Sequence, residues 1–147
     1  MISQMRKQSG FTIVELLIVI VVIGILAGLV VTTFSGVQKS ARDKERQTDV
    51  KAIHGQLEAY YATNGRYPTL ANLNDEDWVK ENLKGLDLDA LKDPKGANST
   101  FVGAAAANAY AYAVTPTGCD NDDEECTGYT LTATLEGGGT YEKTALN

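Results

Sequence analysis

Histidine is scarce in this chain, and positive charge falls short of negative. His54 is its only histidine, and 13 Lys+Arg stand against 19 Asp+Glu, a formal net charge of −6. A shortage of cations argues against a nucleic-acid partner, because such binding needs basic patches that neutralise phosphates. A lone histidine with no nucleophile or ligand partner beside it offers no acid–base constellation, so His54 reads as structural. No catalytic residue, metal ligand or cofactor is assigned, and the chain does not read as an enzyme. The three prolines are Pro68, Pro94 and Pro116. None interrupts the sixty residues or so after the start, which leaves that stretch free to form one helix. At 147 residues the chain has room for one modest core beside any membrane segment.

What the chain does have is a long apolar run, residues 11–31, FTIVELLIVIVVIGILAGLVV, in which Glu15 is the only charge. As a helix it would cross a hydrocarbon core of ~30 Å. An acid inside such a run costs about 2.5–3.5 kcal/mol at the bilayer centre, which marks Glu15 as a functional candidate. Arg6 and Lys7 precede the run and the first cation after it is Lys39, so the positive-inside rule puts the N-terminus in the cytoplasm and the bulk outside. A secretory signal peptide fits less well, since its apolar region is shorter and ends at a small-x-small site. A plain single-pass anchor is the other simple reading. Gly24 and Gly28 make a G-x-x-x-G, which allows close helix approach or simple helix flexibility.

Past residue 31 the sequence turns polar but keeps helix formers, and Val50, Ile53, Leu57, Tyr60 and Tyr61 recur at spacings of three and four. Phe34, Val37 and Ala41 extend an apolar stripe toward the membrane. Lys39, Arg42, Asp43, Lys44, Glu45, Arg46 and Asp49 mix both signs, and read as a solvated face that serves either solubility or pairing between subunits. Asn64-Gly65 and Pro68 stop the helix. Residues 11–63 as one helix would be about 80 Å long. Residues 69–73 read as a linker, followed by a short helix with Asn74 as N-cap and Trp78, Val79 and Leu83 as its buried side. Leu86, Leu88 and Leu91 add a packing turn before the loop Asp93-Pro94-Lys95-Gly96. From Asn108 the period becomes two: Tyr110, Tyr112 and Val114, then Tyr129, Leu131, Ala133 and Leu135, then a third strand after Gly137-Gly138-Gly139. The expected fold is α+β, a long N-terminal helix whose second half packs on a three-stranded antiparallel meander.

Cys119 and Cys126 bracket the acidic loop Asp120, Asn121, Asp122, Asp123, Glu124, Glu125. On the outer side of a membrane two cysteines this close favour a disulfide over a metal site. Calcium held by Asp120, Asp122, Asp123, Glu124 and Glu125 is the alternative, although the loop lacks the EF-hand spacing and its glycine. Asn98-Ser99-Thr100 matches an N-glycosylation pattern, a weak signal.

Lys7-Gln8-Ser9-Gly10 followed by Phe11-Thr12-Ile13-Val14-Glu15-Leu16 resembles the N-terminus of type IV prepilins and type II secretion pseudopilins. The segment from Tyr60-Tyr61 to Tyr67-Pro68 is similar to a junction found in major pseudopilins and some pilins, some of which bind calcium in their C-terminal loops. The resemblance implies a cut between Gly10 and Phe11 by a prepilin peptidase, N-methylation of Phe11, and a role for Glu15 in assembly. Its domains would be a leader 1–10, a transmembrane or filament-core helix 11–31, the helix continuation 32–63 and a pilin domain 64–147. Where many pilins carry a helix proline, this sequence has Thr32, Thr33, Ser35 and Gly36. Loss of the leader leaves 11 basic against 19 acidic side chains, a balance of −8. The implied protein is a structural subunit of a type IV pilus-like surface filament, first held in the cell membrane. The alternatives are a type II secretion pseudopilin and a membrane-tethered binding domain that never polymerises. Its implied partners are further copies of itself, minor pilins, the peptidase, the membrane, and an inner-membrane assembly platform with a cytoplasmic ATPase.

Overall fold

The computed structural model describes residues 10–147, the side chain of Thr32 excepted, so the leader lies outside the described residues apart from Gly10. One helix, α1, runs Ile13–Asn64. Thr12 and Glu15 start it as a reciprocal pair: the Glu15 N–H donates to Thr12 Oγ1 at 3.2 Å, and Glu15 Oε2 accepts from the Thr12 N–H at 2.8 Å. Gly65 ends it. The glycine adopts φ 73° and donates its N–H to the Tyr61 carbonyl at 2.7 Å, a left-handed cap that a residue with a Cβ adopts only with strain.

The chain divides into two compact units, with the boundary between Gln38 and Lys39. In the first, every large apolar side chain of α1 is uncovered, from Val22 at 48 % exposed to Ile13 at 82 %. The helix is long and apolar enough to cross a membrane. Thr33 fits in this stretch because its hydroxyl donates back to the Leu29 and Val30 carbonyls at 2.8 and 3.1 Å. Phe34 and Val37, expected to continue a packing stripe, are also exposed, at 60 % and 65 %.

The second unit is built on the rest of α1. Val50, Ile53 and Leu57 are fully buried, with Tyr60 and Tyr61 packed at the margin of the core, as their spacing predicts. Three strands, β1 (Tyr110–Thr115), β2 (Gly128–Thr134) and β3 (Thr140–Thr144), form an antiparallel meander in the order β1-β2-β3. Tyr110, Tyr112, Tyr129, Leu131 and Ala133 supply its buried side chains. Strict alternation fails at two places, and Thr132, buried between Leu131 and Ala133, is one of them. Ala111 is buried as well, where Val102 bridges to it.

The tyrosines bring polar tips into this core, and each tip has a partner. The Tyr110 hydroxyl donates to Asp49 at 2.6 Å, Tyr112 to the Pro68 carbonyl at 2.8 Å, and Tyr129 to Glu58 at 2.8 Å. An unpaired buried hydroxyl would cost about 1–3 kcal/mol, so these partners decide whether so aromatic a core is tolerable. His54 is structural in this sense, with Nδ1 2.6 Å from the Tyr129 hydroxyl.

Two local expectations are corrected. The linker at 69–73 contains a short helix, α2 (Leu70–Leu73), closed by a Thr69–Asn72 capping box. The next helix, α3 (Glu76–Asn82), is capped by Asp75, whose carboxylate accepts from the Asp77 and Trp78 N–H groups. Asn74 serves instead as the C-cap of α2, and its side chain pairs with the backbone of Phe101. The sequence offers Asn74 and Asp75 side by side, and the preceding helical turn decides between them. A single 3₁₀ turn, Leu88–Leu91, follows, with Leu91 buried.

Leu57 is fully enclosed. Leu57→Ala should lower the unfolding free energy by about 2–5 kcal/mol, measured by urea denaturation of the full chain in detergent with tyrosine fluorescence as the signal.

Candidate functional site

Two regions carry polar chemistry of interest, one in each unit. In the first, Gly10 is exposed and Phe11 is 87 % exposed, directly before the helix start. Glu15 Oε2 accepts from both the Thr12 N–H and the Thr12 hydroxyl, at 2.8 and 2.7 Å. Among the described residues nothing donates to its other oxygen, Oε1. A carboxylate has about four acceptor positions, so half of this one is uncommitted. Gly10, Phe11 and Glu15 are thus adjacent and accessible.

In the second unit the mixed-charge stretch is not the solvated face that its composition suggests. Arg46 is 1 % exposed. Its Nε and Nη2 clamp Asp93 at 2.6 and 2.9 Å, while Nη1 reaches Asp43 at 2.9 Å and Glu136 at 3.0 Å. Arg42 forks onto Glu136 at 2.5 and 2.7 Å, and Lys95 Nζ lies 3.5 Å from the same carboxylate. Three cations face three carboxylates, so the cluster is neutral. Asp43 also accepts from the Glu136 and Gly137 N–H groups at 2.8 and 2.9 Å, which pins the β2–β3 turn to α1. Burial pushes the Asp43 carboxyl up, but those two N–H groups and Arg46 outweigh it and hold it below the usual carboxylate range. The Arg42 guanidinium, with Arg46 behind it, does the same to Glu136. Hydrogen bonding to Asp93 raises Arg46 further above its ordinary value.

Sequence reasoning missed Asp93 and Glu136 as partners, yet one signal was present. Counting back from Val50, Ile53 and Leu57 at helical spacing lands on Arg46 and Asp43, on the same face as the core. Arg42 and Asp49 are the only other members of the stretch with long-range partners among the described residues, and Lys39, Lys44 and Glu45 are exposed.

Cys119 and Cys126 are joined as a disulfide, as expected. Within the loop, Asp120 Oδ1 accepts from the N–H groups of Asp122 at 3.0 Å and Asp123 at 2.9 Å. Asn121 bridges outward, donating to the Tyr67 carbonyl at 2.8 Å, while the Tyr67 N–H donates to the Cys126 carbonyl at 2.8 Å. The loop is thereby fastened to the residues that follow α1. The calcium alternative finds no preformed cage: among the described residues, no three acidic, histidine or cysteine side chains are placed to hold a metal ion.

Comparison with known proteins gives matches to two family models and to several relatives. Residues 5–31 match the model of the prokaryotic N-terminal methylation motif. Residues 33–130 match the model of type II secretion system protein G. The chain is 44 % identical over 66 residues to the type II secretion system core protein G of Aeromonas hydrophila, covering 45 % of this chain and 46 % of that one. It is 42 % identical over 64 residues to the namesake from Dickeya chrysanthemi, covering 44 % and 42 %. With the Pseudomonas aeruginosa protein of the same name the match is 34 % over 104 residues, 62 % of this chain and 73 % of that one. The chain thus spans less than half the length of the first two relatives. No solved structure matches it significantly.

The ion cluster makes a prediction in two parts. Arg46→Leu leaves Asp93, itself 1 % exposed, without its cation, and should cost about 3–5 kcal/mol of stability. Asp43 and Glu136 are depressed in the folded state, so their contribution is complete above the unfolded carboxylate value of ~4 and is lost as pH falls below it. Denaturation curves from pH 7 down to 2 should show this acid limb in the parent and a shallower one in Arg46→Leu.

Proposed function

This chain belongs to the type II secretion system protein G family, and on that footing we propose that it is a pseudopilin, a structural subunit without a reaction of its own. It polymerises through its N-terminal helix into a filament of the secretion machinery. The observation that carries this reading is the exposed apolar half of α1 placed directly after Gly10-Phe11, within the stretch that matches the methylation motif. Apolar side chains contribute ~25 cal/mol per Å² once removed from water. Among the described residues these side chains lie about half or more exposed, so a bilayer first and neighbouring helices later are the surroundings that suit them.

In this reading the precursor sits in the membrane with its N-terminus in the cytoplasm. The peptidase cuts between Gly10 and Phe11, and Phe11 becomes the methylated N-terminus. The new amine is cationic and lies one helical turn from Glu15. The uncommitted Oε1 supports a pairing with that amine, and pairing with a neighbour's amine would set the register of an incoming subunit. Further copies, minor pseudopilins and an assembly platform driven by a cytoplasmic ATPase complete the set of partners. The reading as a pilus subunit, placed first on the sequence, is supported only at the level of the wider pilin and pseudopilin family. The protein G match favours the secretion alternative.

Deleting the gene should remove secreted enzymes from culture supernatants while leaving surface pili at their usual number by electron microscopy; lost pili with intact secretion would restore the pilus reading. Glu15→Val, expressed as the only copy, should be processed and held in the membrane at parental levels on an immunoblot. Secretion should nevertheless fall at least tenfold, because a buried amine left without its carboxylate disfavours assembly by several kcal/mol.

A further inference from the structure

The edge of β1 has an unfilled place. The Val102 N–H donates to the Tyr110 carbonyl at 3.0 Å and the Tyr112 N–H donates to the Val102 carbonyl at 2.8 Å, so a single residue of the 101–102 segment adds one parallel rung to the edge. Tyr110 and Tyr112 therefore turn their backbone groups away from β2. By the alternation of a strand, Val114 does the same, while Ala111, Ala113 and Thr115 bond to β2. The Thr127 N–H donating to the Thr115 carbonyl at 2.8 Å fits this phase. The next rung along the edge would use the Tyr112 carbonyl and the Val114 N–H. The chain does not supply it, because at Gly103 it bends away. Among the described residues no other segment pairs there.

A cavity of about 540 Å³ occupies that place, lined by Leu70, Ala71, Gly103, Ala113, Val114 and Thr117 among others. Its size falls in the ~300–1,000 Å³ range of ligand clefts. Asp120 is the only charged residue in its lining, and it opens the acidic loop that runs on through Asp122, Asp123, Glu124 and Glu125. Pro116 lacks an N–H and limits how far the ladder could extend.

We propose that this cleft docks a short extended segment of another polypeptide, which adds a strand to β1 through the Tyr112 carbonyl and the Val114 N–H and carbonyl. The main-chain bonds select an extended backbone, and the apolar walls take small aliphatic side chains. The acidic end selects a lysine or arginine over an acid at the terminus beside Asp120. This goes beyond the filament reading and does not depend on it, since cleft and filament helix belong to different units of the chain.

The test uses the full chain in detergent micelles and a fluorescent peptide of alternating valine and threonine with lysine at both ends. Binding by anisotropy should be saturable, and the Val114 amide should gain protection from hydrogen exchange. A glutamate-ended peptide should bind about tenfold more weakly. Val114→Pro removes the outward N–H without touching the bonds to β2, and should weaken binding about tenfold or more at an unchanged melting temperature. Should that variant unfold, Ala71→Trp, on the exposed side of α2, fills the cleft and should have the same effect. Equal binding by the cleft-altered protein, equal binding of the two peptides, or no binding of either would overturn the proposal. So would protection of the Val114 amide by self-association without peptide, which would assign the cleft to a second copy.

Discussion

A guanidinium held out of water at Arg46 is the constraint around which the globular unit is arranged. Removing an ion from water costs several kcal/mol even after relaxation, so the surrounding chain has to supply hydrogen-bonded carboxylates in matching geometry. Asp93 comes from the loop after the 3₁₀ turn, Glu136 from the β2–β3 turn, and Asp43 from α1 itself. The loop and the turn are irregular segments, and each is fixed where it meets the arginine. Asp93 also accepts the Lys95 N–H at 2.8 Å, and Asp43 the turn's two N–H groups, so the same carboxylates organise backbone and side chain together. At the other end of the same stretch of helix, the disulfide loop is fastened to Tyr67 in a comparable way, by backbone and amide bonds rather than charge.

Between these fastenings lies a core rich in tyrosine. Tyr67 meets Tyr129 edge-on at 4.8 Å and Tyr61 in a stack at 4.5 Å, and Tyr112 lies 5.4 Å from Tyr129. Rings supply large buried area in a small domain, and their hydroxyls demand acceptors, which α1 provides as Asp49 and Glu58. One helix thus serves two environments in sequence. Up to Gln38 it displays exposed aliphatic side chains, and from Lys39 it carries a face that alternates core residues with the acids and the arginine that the sheet and loops need. The proposed filament role needs an assembly surface separable from a stable body, and this division of labour along one helix would provide that.

The legibility of these features in the sequence follows the range of the interactions behind them. The membrane-length run, the helix stop at Asn64-Gly65 and the three strands were all readable, because each is a local matter of hydrophobic period or turn chemistry over a few residues. The pairing of Cys119 with Cys126 was readable too, since only two cysteines exist and they lie close together in the chain. The position of the N-cap before α3 was not, because Asn74 and Asp75 both qualify locally and the preceding turn, α2, takes one of them.

What only the tertiary structure decided concerns groups far apart in sequence. Arg42 and Arg46 read as exposed because arginine on a polar helix usually is, and the acids from other segments that pair with them stand 47 to 94 residues away. The vacant rung on β1 likewise depends on where residues 101–103 meet and leave the strand, which no periodicity encodes. The sequence by itself determined which segments are helix, strand and membrane-length run, since those follow from nearest-neighbour periodicity. The folded chain alone decided which charges are buried and which strand edge is open, since both depend on contacts closed across long loops.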